Sequence, residues 1–305
     1  MNLDLLCVGV ACYDLTFAVE QHPLPDAKSY ASALVSCGGG LAANAAVTAV
    51  RLGSRTALLT QLGSDLFGDS HLQELVEAGV LTDFVYRYEG ATKLSVILAK
   101  PDGTRSLIHY AGDIRPLPAH TLDFTQLHPK AILVDGHELA IAQPLCQWAR
   151  AQGIPTVLDA DSAKPGAVAL ASEVDYLVCS QNFAQEFTGE TEMEKALERL
   201  TAVRPTGVGT PTVVITLGAE GVLWHHAGEN GRFPAYPVTV VDSTGAGDAF
   251  HGAFAAALAQ GQSWPHILRL ASATAALCCT KIGARIGIPT KAEVEQFIGR
   301  LETRD

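Results

Sequence analysis

The chain has 305 residues, of which 48% are hydrophobic and 17% charged, and its 32 acidic and 21 basic side chains give a net charge of −11. This composition is typical of a well-packed globular protein and excludes intrinsic disorder, which needs many charges and few apolar residues. The acidic balance argues against a protein that binds the nucleic acid backbone, because that affinity comes mainly from clustered Lys and Arg.

The cysteines and the apolar segments predict a cytosolic protein. The seven cysteines form no C-x-x-C pair and mostly have apolar neighbours, so we expect reduced thiols in the core. The first residues lack the basic segment of a secretory signal. No stretch reaches the roughly 18 apolar residues that a membrane span needs, so we expect no membrane association.

Strand-like and helical segments alternate along most of the chain. Apolar strand-like runs occur at residues 3–10, 55–61, 131–135, 155–159, 176–179 and 212–216, and a stretch with helical spacing follows each. Apolar strands separated by helices are typical of a parallel sheet that is covered on both faces. We find no linker or internal repeat. The prediction is a single α/β domain over residues 1–305.

Two segments interrupt this alternation and have the pattern of antiparallel ribbons. They cover about residues 16–37 and 92–110, and the second contains Asp102-Gly103, a dipeptide that favours hairpin turns. Paired together, the ribbons would form a small sheet outside the main one, over a cleft. The alternative is that they are ordinary surface hairpins.

A glycine-rich turn joins the strand-like residues 238–241 to helical stretches at 249–260, 264–280 and 291–301. Such a turn directs backbone N–H groups and the positive end of a helix dipole outward, which makes an anion site. Gly245 and Gly247 would let a phosphate approach the backbone. Asp248 would lie beside that phosphate and accept a hydroxyl proton. The alternative is that Asp248 only caps the helix.

A second glycine-to-helix junction, at residues 38–40, is followed by Asn44. The Asn44 amide offers both a donor and an acceptor, and Asp14 can accept hydrogen bonds from vicinal hydroxyls, so together they suit a polyol such as a sugar. Taken singly, Asn44 would be a buried structural amide and Asp14 a turn acid or a helix cap.

A third junction ends a buried strand in Thr216, Gly218 and Gly221, and it could hold nucleotide phosphate or ribose. The alternative is a tight turn between two strands. Two common nucleotide motifs are absent. Residues 63–70 have the glycine spacing of a P-loop but carry Asp69 where the motif needs Lys, and the first strand is not followed by G-x-G-x-x-G.

Taken in order, these junctions resemble the motifs of the PfkB or ribokinase-like family of carbohydrate kinases. The resemblance covers nearly the whole chain: Gly9 and Asp14, Gly39-Gly40 with Asn44, residues 63–68, Thr216 to Gly221, the block DSTGAGD at 242–248, and Gly283-Ala284 with Pro289. It implies a three-layer α/β/α fold with a mostly parallel central sheet and a small β-sheet lid. It also implies ATP-dependent phosphorylation of a sugar hydroxyl, with Mg²⁺ on the nucleotide, and a homodimer formed through the lid.

The resemblance assigns roles residue by residue. Asp248 would be the catalytic base, and the anion hole would be formed by Gly245, Ala246 and Gly247. The sugar would be bound by Asp14, Gly39, Gly40 and Asn44, and the nucleotide by Thr216, Gly218, Gly221 and Thr244. Because the helix dipole favours a charged carboxylate, we expect Asp248 to be a weak base.

Two departures from the family pattern bear on ions. Many members carry an N-x-x-E segment that is thought to organise Mg²⁺, but this chain has Ser180 and Phe183 at those positions, with Asn182 and Glu186 at the wrong spacing. The metal residues therefore stay unassigned. Members activated by a monovalent cation often have Ser near the C-terminal motif where this chain has Gly287, so we do not expect potassium activation.

Within the family, residues 38–40, 107–110 and 275–280 look nearest to ketohexokinases and sulfofructose kinases. Leu41 stands where phosphosugar kinases commonly have Lys, which favours an unphosphorylated acceptor. The leading hypothesis is therefore a kinase that transfers the γ-phosphate of ATP to a hydroxyl of a ketose or pentose-like sugar. The alternatives are a nucleoside kinase of the same family and a catalytically silent sugar- or nucleotide-binding protein, the latter suggested by the missing N-x-x-E segment.

Overall fold

The computed structural model describes residues 1–112, 116–118, 122–203 and 212–302, and these residues form two sheets flanked by helices. The strands are β1 (Asn2–Val8), β2 (Cys12–Ala18), β3 (Ala33–Gly39), β4 (Thr56–Gly63), β5 (Val85–Tyr88), β6 (Leu94–Ala99), β7 (Arg105–Tyr110), β8 (His128–Val134), β9 (Thr156–Ala160), β10 (Tyr176–Ser180), β11 (Thr212–Thr216), β12 (Val222–His226) and β13 (Glu229–Phe233). The α-helices are α1 (Leu41–Arg51), α2 (Leu66–Ala78), α3 (Leu139–Gln152), α4 (Pro165–Leu170), α5 (Gln181–Thr188), α6 (Met193–Ala202), α7 (Ala246–Ala259), α8 (Trp264–Cys278), α9 (Ala284–Gly287) and α10 (Lys291–Glu302).

The main sheet has nine strands in the order β13-β12-β11-β10-β9-β8-β1-β4-β5. The strands from β11 through to β5 pair in parallel, whereas β12 and β13 are added antiparallel at one edge. The six strand-like runs that alternate with helices all lie in the parallel part, whereas the strand-like residues 238–241 form no strand. The short edge strands β5 and β13 were not predicted, because neither has a continuous apolar run.

Helices cover both faces of the main sheet, and adjacent strand residues alternate between the two cores. Leu133 of β8 packs in one core with the Ala-rich helices α1, α7 and α8. Its neighbours Ile132 and Val134 pack in the other core with α3, α5 and α6. The predicted three-layer α/β/α fold is therefore confirmed. A strand that is apolar at every position is explained by burial on both sides.

The two ribbons form a separate four-stranded sheet in the order β3-β2-β6-β7, called the small sheet below. Within it β2 pairs in parallel with β6, while the outer pairs are antiparallel. The prediction of a small extra sheet is confirmed, but its bounds differ. The first ribbon spans residues 12–39 rather than 16–37, and the second begins at residue 94 rather than 92, so Asp14 and Gly39 belong to the small sheet itself.

All seven cysteines are free thiols, and five of them are buried. This arrangement agrees with the expectation of reduced core thiols. In the part of the chain that the structure describes, no helix combines the length and the apolar character needed to pass through a membrane.

Candidate active site

The candidate site lies at the carboxyl ends of the parallel strands, near the boundary between β1 and β8. The helices that follow these two strands pack on opposite faces of the sheet, α1 on one face and α3 on the other. In open parallel sheets such a reversal leaves a crevice at the carboxyl ends of the strands, where ligands bind. The N-terminus of α7 also approaches this crevice, because the side chain of Asp248 reaches Asn44 on α1.

The centre of the site is the pair formed by Asn44 and Asp248. The Asn44 amide nitrogen donates a 2.8 Å hydrogen bond to the Asp248 carboxylate, although 204 positions separate the two residues in the chain. The sequence analysis placed these residues at two different junctions, and the fold brings them together.

Burial, together with the nearby carboxylates of Asp14, Asp161 and Asp135, raises the pKa of Asp248 to about 7, although the hydrogen bond from Asn44 acts in the opposite direction. The sequence-based expectation that the helix dipole keeps Asp248 a weak base is therefore wrong. The reason is that desolvation and like charges outweigh the dipole at this position. With a pKa near neutrality, Asp248 is suited to accept a proton at physiological pH.

The turn before α7 has the geometry of an anion site. Gly245 precedes the helix with a φ of 78°, and a Cβ on it would lie 2.6 Å from the Cβ of Ala284, so both conformation and packing favour glycine. A Cβ on Gly247 would meet no protein atom within 4 Å, which leaves that backbone open. The N–H groups of the first helical turn, which includes Ala246 and Gly247, have no intrahelical acceptor and can bind an anion.

Asp242 fixes this turn to the C-terminal part of the chain. One of its carboxylate oxygens accepts from the backbone N–H and the hydroxyl of Thr244, and the other accepts from the N–H of Gly283 at 2.8 Å. The Thr244 hydroxyl is thus turned toward Asp242, and its predicted contact with nucleotide stays a prediction. The sequence analysis gave Asp242 no role in the site, although it opens the DSTGAGD block.

The small sheet contributes Asp14 to the site. Asp14 is buried, and burial raises the pKa of its carboxyl group, while hydrogen bonds from Cys12 and Ser95 lower it. A Cβ on Gly39, in the neighbouring strand β3, would lie 2.1 Å from an Asp14 carboxylate oxygen. Gly40 precedes α1 with a φ of 97°, and a Cβ there would lie 2.5 Å from the carbonyl oxygen of Val10. The predicted sugar-binding residues are therefore neighbours in space. Close packing at positions 39 and 40 explains why both are glycine.

Asp135, which the sequence analysis did not single out, links three segments of this region through hydrogen bonds. Its buried carboxylate accepts hydrogen bonds from the backbone N–H groups of Val10, Ala42 and His137, at 2.7, 3.3 and 3.0 Å. Although burial disfavours the charge, His137 and the backbone N–H of Val10 hold the pKa of Asp135 below its ordinary value. A Cβ on Gly9 would overlap this carboxylate. An acidic residue at the end of the apolar run 131–135 was the signal that could have revealed it.

A cavity of about 230 Å³ opens beside Asp135, at the carboxyl ends of β8 and β9. It is lined by Leu41 at the start of α1, by His137, and by Asp161 and Lys164 from the loop after β9. Two basic side chains, His137 and Lys164, and the apolar side chain of Leu41 thus border the crevice.

Apart from Thr244, the residues predicted for nucleotide binding lie at the carboxyl end of β11, three strands from β8. Thr216 ends β11 and its hydroxyl donates to the carbonyl of Cys179 at 3.3 Å. A single 3-10 turn, Gly218–Glu220, leads into the antiparallel strand β12. Gly221 has a φ of 88°, and a Cβ there would lie 2.1 Å from the carbonyl oxygen of Phe233. The tight strand-to-strand turn foreseen as the alternative is present, and a role in nucleotide binding stays a prediction.

The described part of the chain offers no side-chain cluster that would hold a metal ion by itself. Within residues 1–112, 116–118, 122–203 and 212–302, no group of three or more His, Cys, Asp or Glu side chains is arranged to hold one. At the N-x-x-E positions, Ser180 caps α5 and Phe183 is buried in the core. Glu186 accepts from Asn182 and from the backbone N–H of Ala163. We therefore assign no metal ligand.

One residue of the small sheet contacts the turn before α7. Arg105, on β7 of the small sheet, donates a hydrogen bond to the hydroxyl of Ser243. The small sheet and the turn before α7 are thus linked directly across the crevice.

Comparisons with known proteins agree with this architecture over the whole chain. The model for pfkB family carbohydrate kinases matches residues 2–291. A ribokinase from Bacillus subtilis (strain 168) is 29% identical over 301 residues, which cover 97% of this chain and 99% of the relative. The crystal structure of a putative ribokinase from Agrobacterium tumefaciens has 30% identity and a TM-score of 0.89, with 99% of each chain covered. The structure of Arabidopsis thaliana ribokinase complexed with ribose and ATP has 26% identity and a TM-score of 0.83, with 98% of this chain and 99% of that chain covered.

Proposed function

Because the chain belongs to the PfkB family of carbohydrate kinases, we propose that it transfers the γ-phosphate of ATP to a hydroxyl of a sugar, with Asp248 as the base. The observation that carries this proposal is the hydrogen bond between Asn44 and Asp248. It joins an amide suited to bind a polyol with a carboxylate suited to accept a proton, at the start of a helix suited to bind phosphate.

Asp248 accepts the proton of the attacking hydroxyl. Phosphoryl transfer passes through a loose transition state, so the protein contributes mainly alignment and charge stabilisation. The hydroxyl becomes acidic only as its oxygen bonds to phosphorus, and a base with a pKa of about 7 can take the proton at that stage.

The anion hole is formed by the backbone of Gly245, Ala246 and Gly247. The first-turn N–H groups of α7 donate to the oxygens of the transferred phosphoryl group, and the helix dipole favours its negative charge. The open space over Gly247 supports this role, because a side chain there would project toward the phosphate.

The sugar is held by Asp14, Gly39, Gly40 and Asn44, with the small sheet as one wall. Asp14 accepts hydrogen bonds from hydroxyls, and the two glycines bring backbone close to the acceptor. The ribokinase names of the relatives favour a free pentose over a ketose as acceptor. The apolar side chain of Leu41, which borders the cavity, supports an acceptor without a phosphate.

The nucleotide lies along the turn that contains Thr216, Gly218 and Gly221, with Thr244 at its phosphate end. Mg²⁺ would be bound mainly by the phosphates and by water, as is usual for this ion, and would neutralise their charge. We expect no monovalent cation to be required.

We also propose that two copies associate through their small sheets. Among the described strands, β7 is an edge of the small sheet; its residues are all exposed, and it carries Leu107, Ile108 and Tyr110. Ile108 is 65% exposed, and Leu34 on the opposite edge strand is 57% exposed. An apolar edge strand of this kind is a template for pairing with another chain, which supports a homodimer.

An ADP-release assay with a panel of acceptors tests the proposal. The panel contains aldopentoses, ketohexoses and nucleosides, and ³¹P NMR identifies the phosphorylated product. We expect ADP and a sugar phosphate with a pentose, and neither with the Asp248→Asn variant. Phosphorylation of nucleosides alone would instead support a nucleoside kinase. Calorimetric binding of a sugar without ADP release from any acceptor would support a silent binding protein.

A further inference from the structure

Arg285, on the short helix α9, is buried behind the candidate sugar site. The residue is 6% exposed, and its Nε donates a 3.2 Å hydrogen bond to the Oδ1 atom of Asn44. A second nitrogen, Nη2, lies 3.1 Å from Nε2 of His71. The guanidinium group therefore contacts the residue that in turn contacts Asp248.

The two hydrogen bonds of Asn44 fix the orientation of its amide. An Arg side chain has donors only, so the Asn44 atom that faces Arg285 must be the oxygen. The amide nitrogen is then directed at the Asp248 carboxylate, 2.8 Å away. In the flipped orientation the amide oxygen would face that carboxylate, and an ionised Asp248 would be repelled.

The neighbours of Arg285 partly offset the effect of its burial on its charge. Burial lowers the pKa of Arg285, but the Cys37 thiol on β3, Glu74 on α2 and Asp14 on β2 act in the opposite direction, while Arg51 on α1 lowers it. Its Nη1 lies 3.9 Å from the Glu74 carboxylate. Burial and Arg285 together hold the pKa of His71 well below its ordinary value, so its Nε2 is an acceptor.

We propose that Arg285 is a positioning residue that locks the Asn44 amide and thereby keeps Asp248 in its ionised, proton-accepting form. This inference rests on the proposed function of Asp248 as the base. The titratable groups that face Asp248 from other elements are the carboxyl groups of Asp14 on β2, Asp135 after β8, Asp159 on β9 and Asp161 after it, and the thiols of Cys12 on β2 and Cys278 on α8; the carboxylates disfavour its ionisation. Asn44 opposes them only while its nitrogen points at the carboxylate.

The decisive variant is Arg285→Met, which keeps side-chain length but removes the donor and the charge. Its matched control is Arg51→Met, because Arg51 donates to the backbone carbonyls of Arg285 and Ile288 and so supports the same segment without contacting Asn44. Arg285→Lys is the conservative variant, since it keeps a charged donor without the planar fork of Arg.

The first readout is the titration of Asp248 in protein labelled with ¹³C at the Asp carboxyl carbons, with Asp248→Asn used for assignment. We expect the midpoint to rise by about one pH unit in Arg285→Met, because the loss of a hydrogen bond to a charged group shifts its pKa by about that amount. A smaller rise is expected in Arg285→Lys and none in Arg51→Met. This readout needs no acceptor, so it separates a failure of the inference from a failure of the proposed function.

The second readout is the pH profile of kcat/KM for the acceptor. We expect the acidic limb of Arg285→Met to move up with the NMR midpoint, so that activity recovers at higher pH. An unchanged midpoint in both Arg285 variants, or a loss of activity that is equal at every pH, would show that Arg285 is only structural. If Arg285→Met does not fold, Arg285→Lys decides between the same two outcomes.

Discussion

Arg105 on strand β7 donates a hydrogen bond to the hydroxyl of Ser243, three residues before the helix that carries Asp248 at its start. This contact joins the outermost strand of the small sheet to the turn proposed to bind phosphate. The position of the small sheet and the shape of the proposed anion site are therefore linked through this side-chain pair.

Replacing this arginine should weaken the coupling without unfolding the protein. We expect Arg105→Ala to lower kcat/KM by about fivefold, because an exposed charged hydrogen bond contributes on the order of 1 kcal/mol. Steady-state kinetics with ATP and the acceptor measure the effect. Lys100→Ala is the matched control, since Lys100 pairs with Asp102 inside its own turn. Equal losses in both variants would contradict a specific role for Arg105.

Removal of the proposed base should abolish turnover and spare the fold. Asp248→Asn should reduce kcat by about 10²–10⁴-fold, the usual contribution of a positioned general base. Calorimetry should find nucleotide affinity retained, because the anion hole is made of backbone. Turnover close to that of the wild type would remove Asp248 from the mechanism.

The pKa of Asp248 has consequences for both activity and stability. Activity should fall as the pH drops through about 7, because the carboxyl group is then protonated and cannot accept a proton. The unfolded chain ionises near the ordinary value of 3.8, so between 3.8 and about 7 the folded state binds the extra proton and stability falls as the pH rises. Thermal unfolding of wild type and Asp248→Asn across this range should reveal the difference. An identical pH dependence of stability would contradict the raised pKa.

A methyl group on Gly39 should damage the sugar site by steric overlap alone. The backbone of Gly39 has no positive φ, so Gly39→Ala acts through the 2.1 Å approach to Asp14. We expect KM for the acceptor to rise by about tenfold, in line with the cost of overpacking. Gly299→Ala on α10 is the control, because a Cβ there meets no neighbour within 4 Å. Unchanged acceptor kinetics in Gly39→Ala would show that Asp14 does not bind the sugar.

Association through the small sheet predicts that a charge on β7 yields monomers. We expect Ile108→Asp to halve the mass measured by light scattering at micromolar concentration. Val76→Asp, at a similarly exposed position on α2, should leave the mass unchanged. A wild-type protein that is monomeric in this measurement would contradict the proposed dimer.

Most of the fold could be predicted from the sequence, because the parallel strands are buried on both faces. A run such as residues 131–135 has no polar alternation, and that pattern has few structural solutions. The glycine junctions were also visible, since each joins a strand to a helix or turn that needs glycine. The edge strands β5 and β13 were not visible, because half-exposed strands of four or five residues resemble loops.

The site was predictable as separate pieces but not as an assembly. Asp14, Asn44 and Asp248 could be selected by chemistry, whereas the hydrogen bond between Asn44 and Asp248 depends on how α1 packs against α7. The raised pKa of Asp248 likewise depends on carboxylates from other strands. Arg285 could not be predicted for the same reason, because its importance depends on its hydrogen bond to Asn44, which lies 241 positions earlier in the chain.

Asp14 lies on a strand of the small sheet, whereas Asn44 and Asp248 lie near the starts of two helices that pack against the main sheet. If the acceptor binds between these three residues as proposed, the width of its site depends on the angle between the two sheets. A rigid tilt of one sheet would then accommodate a bulkier acceptor without rearrangement of individual side chains. Changes of acceptor preference would then arise from substitutions at the joints between the sheets, at positions that never touch the sugar.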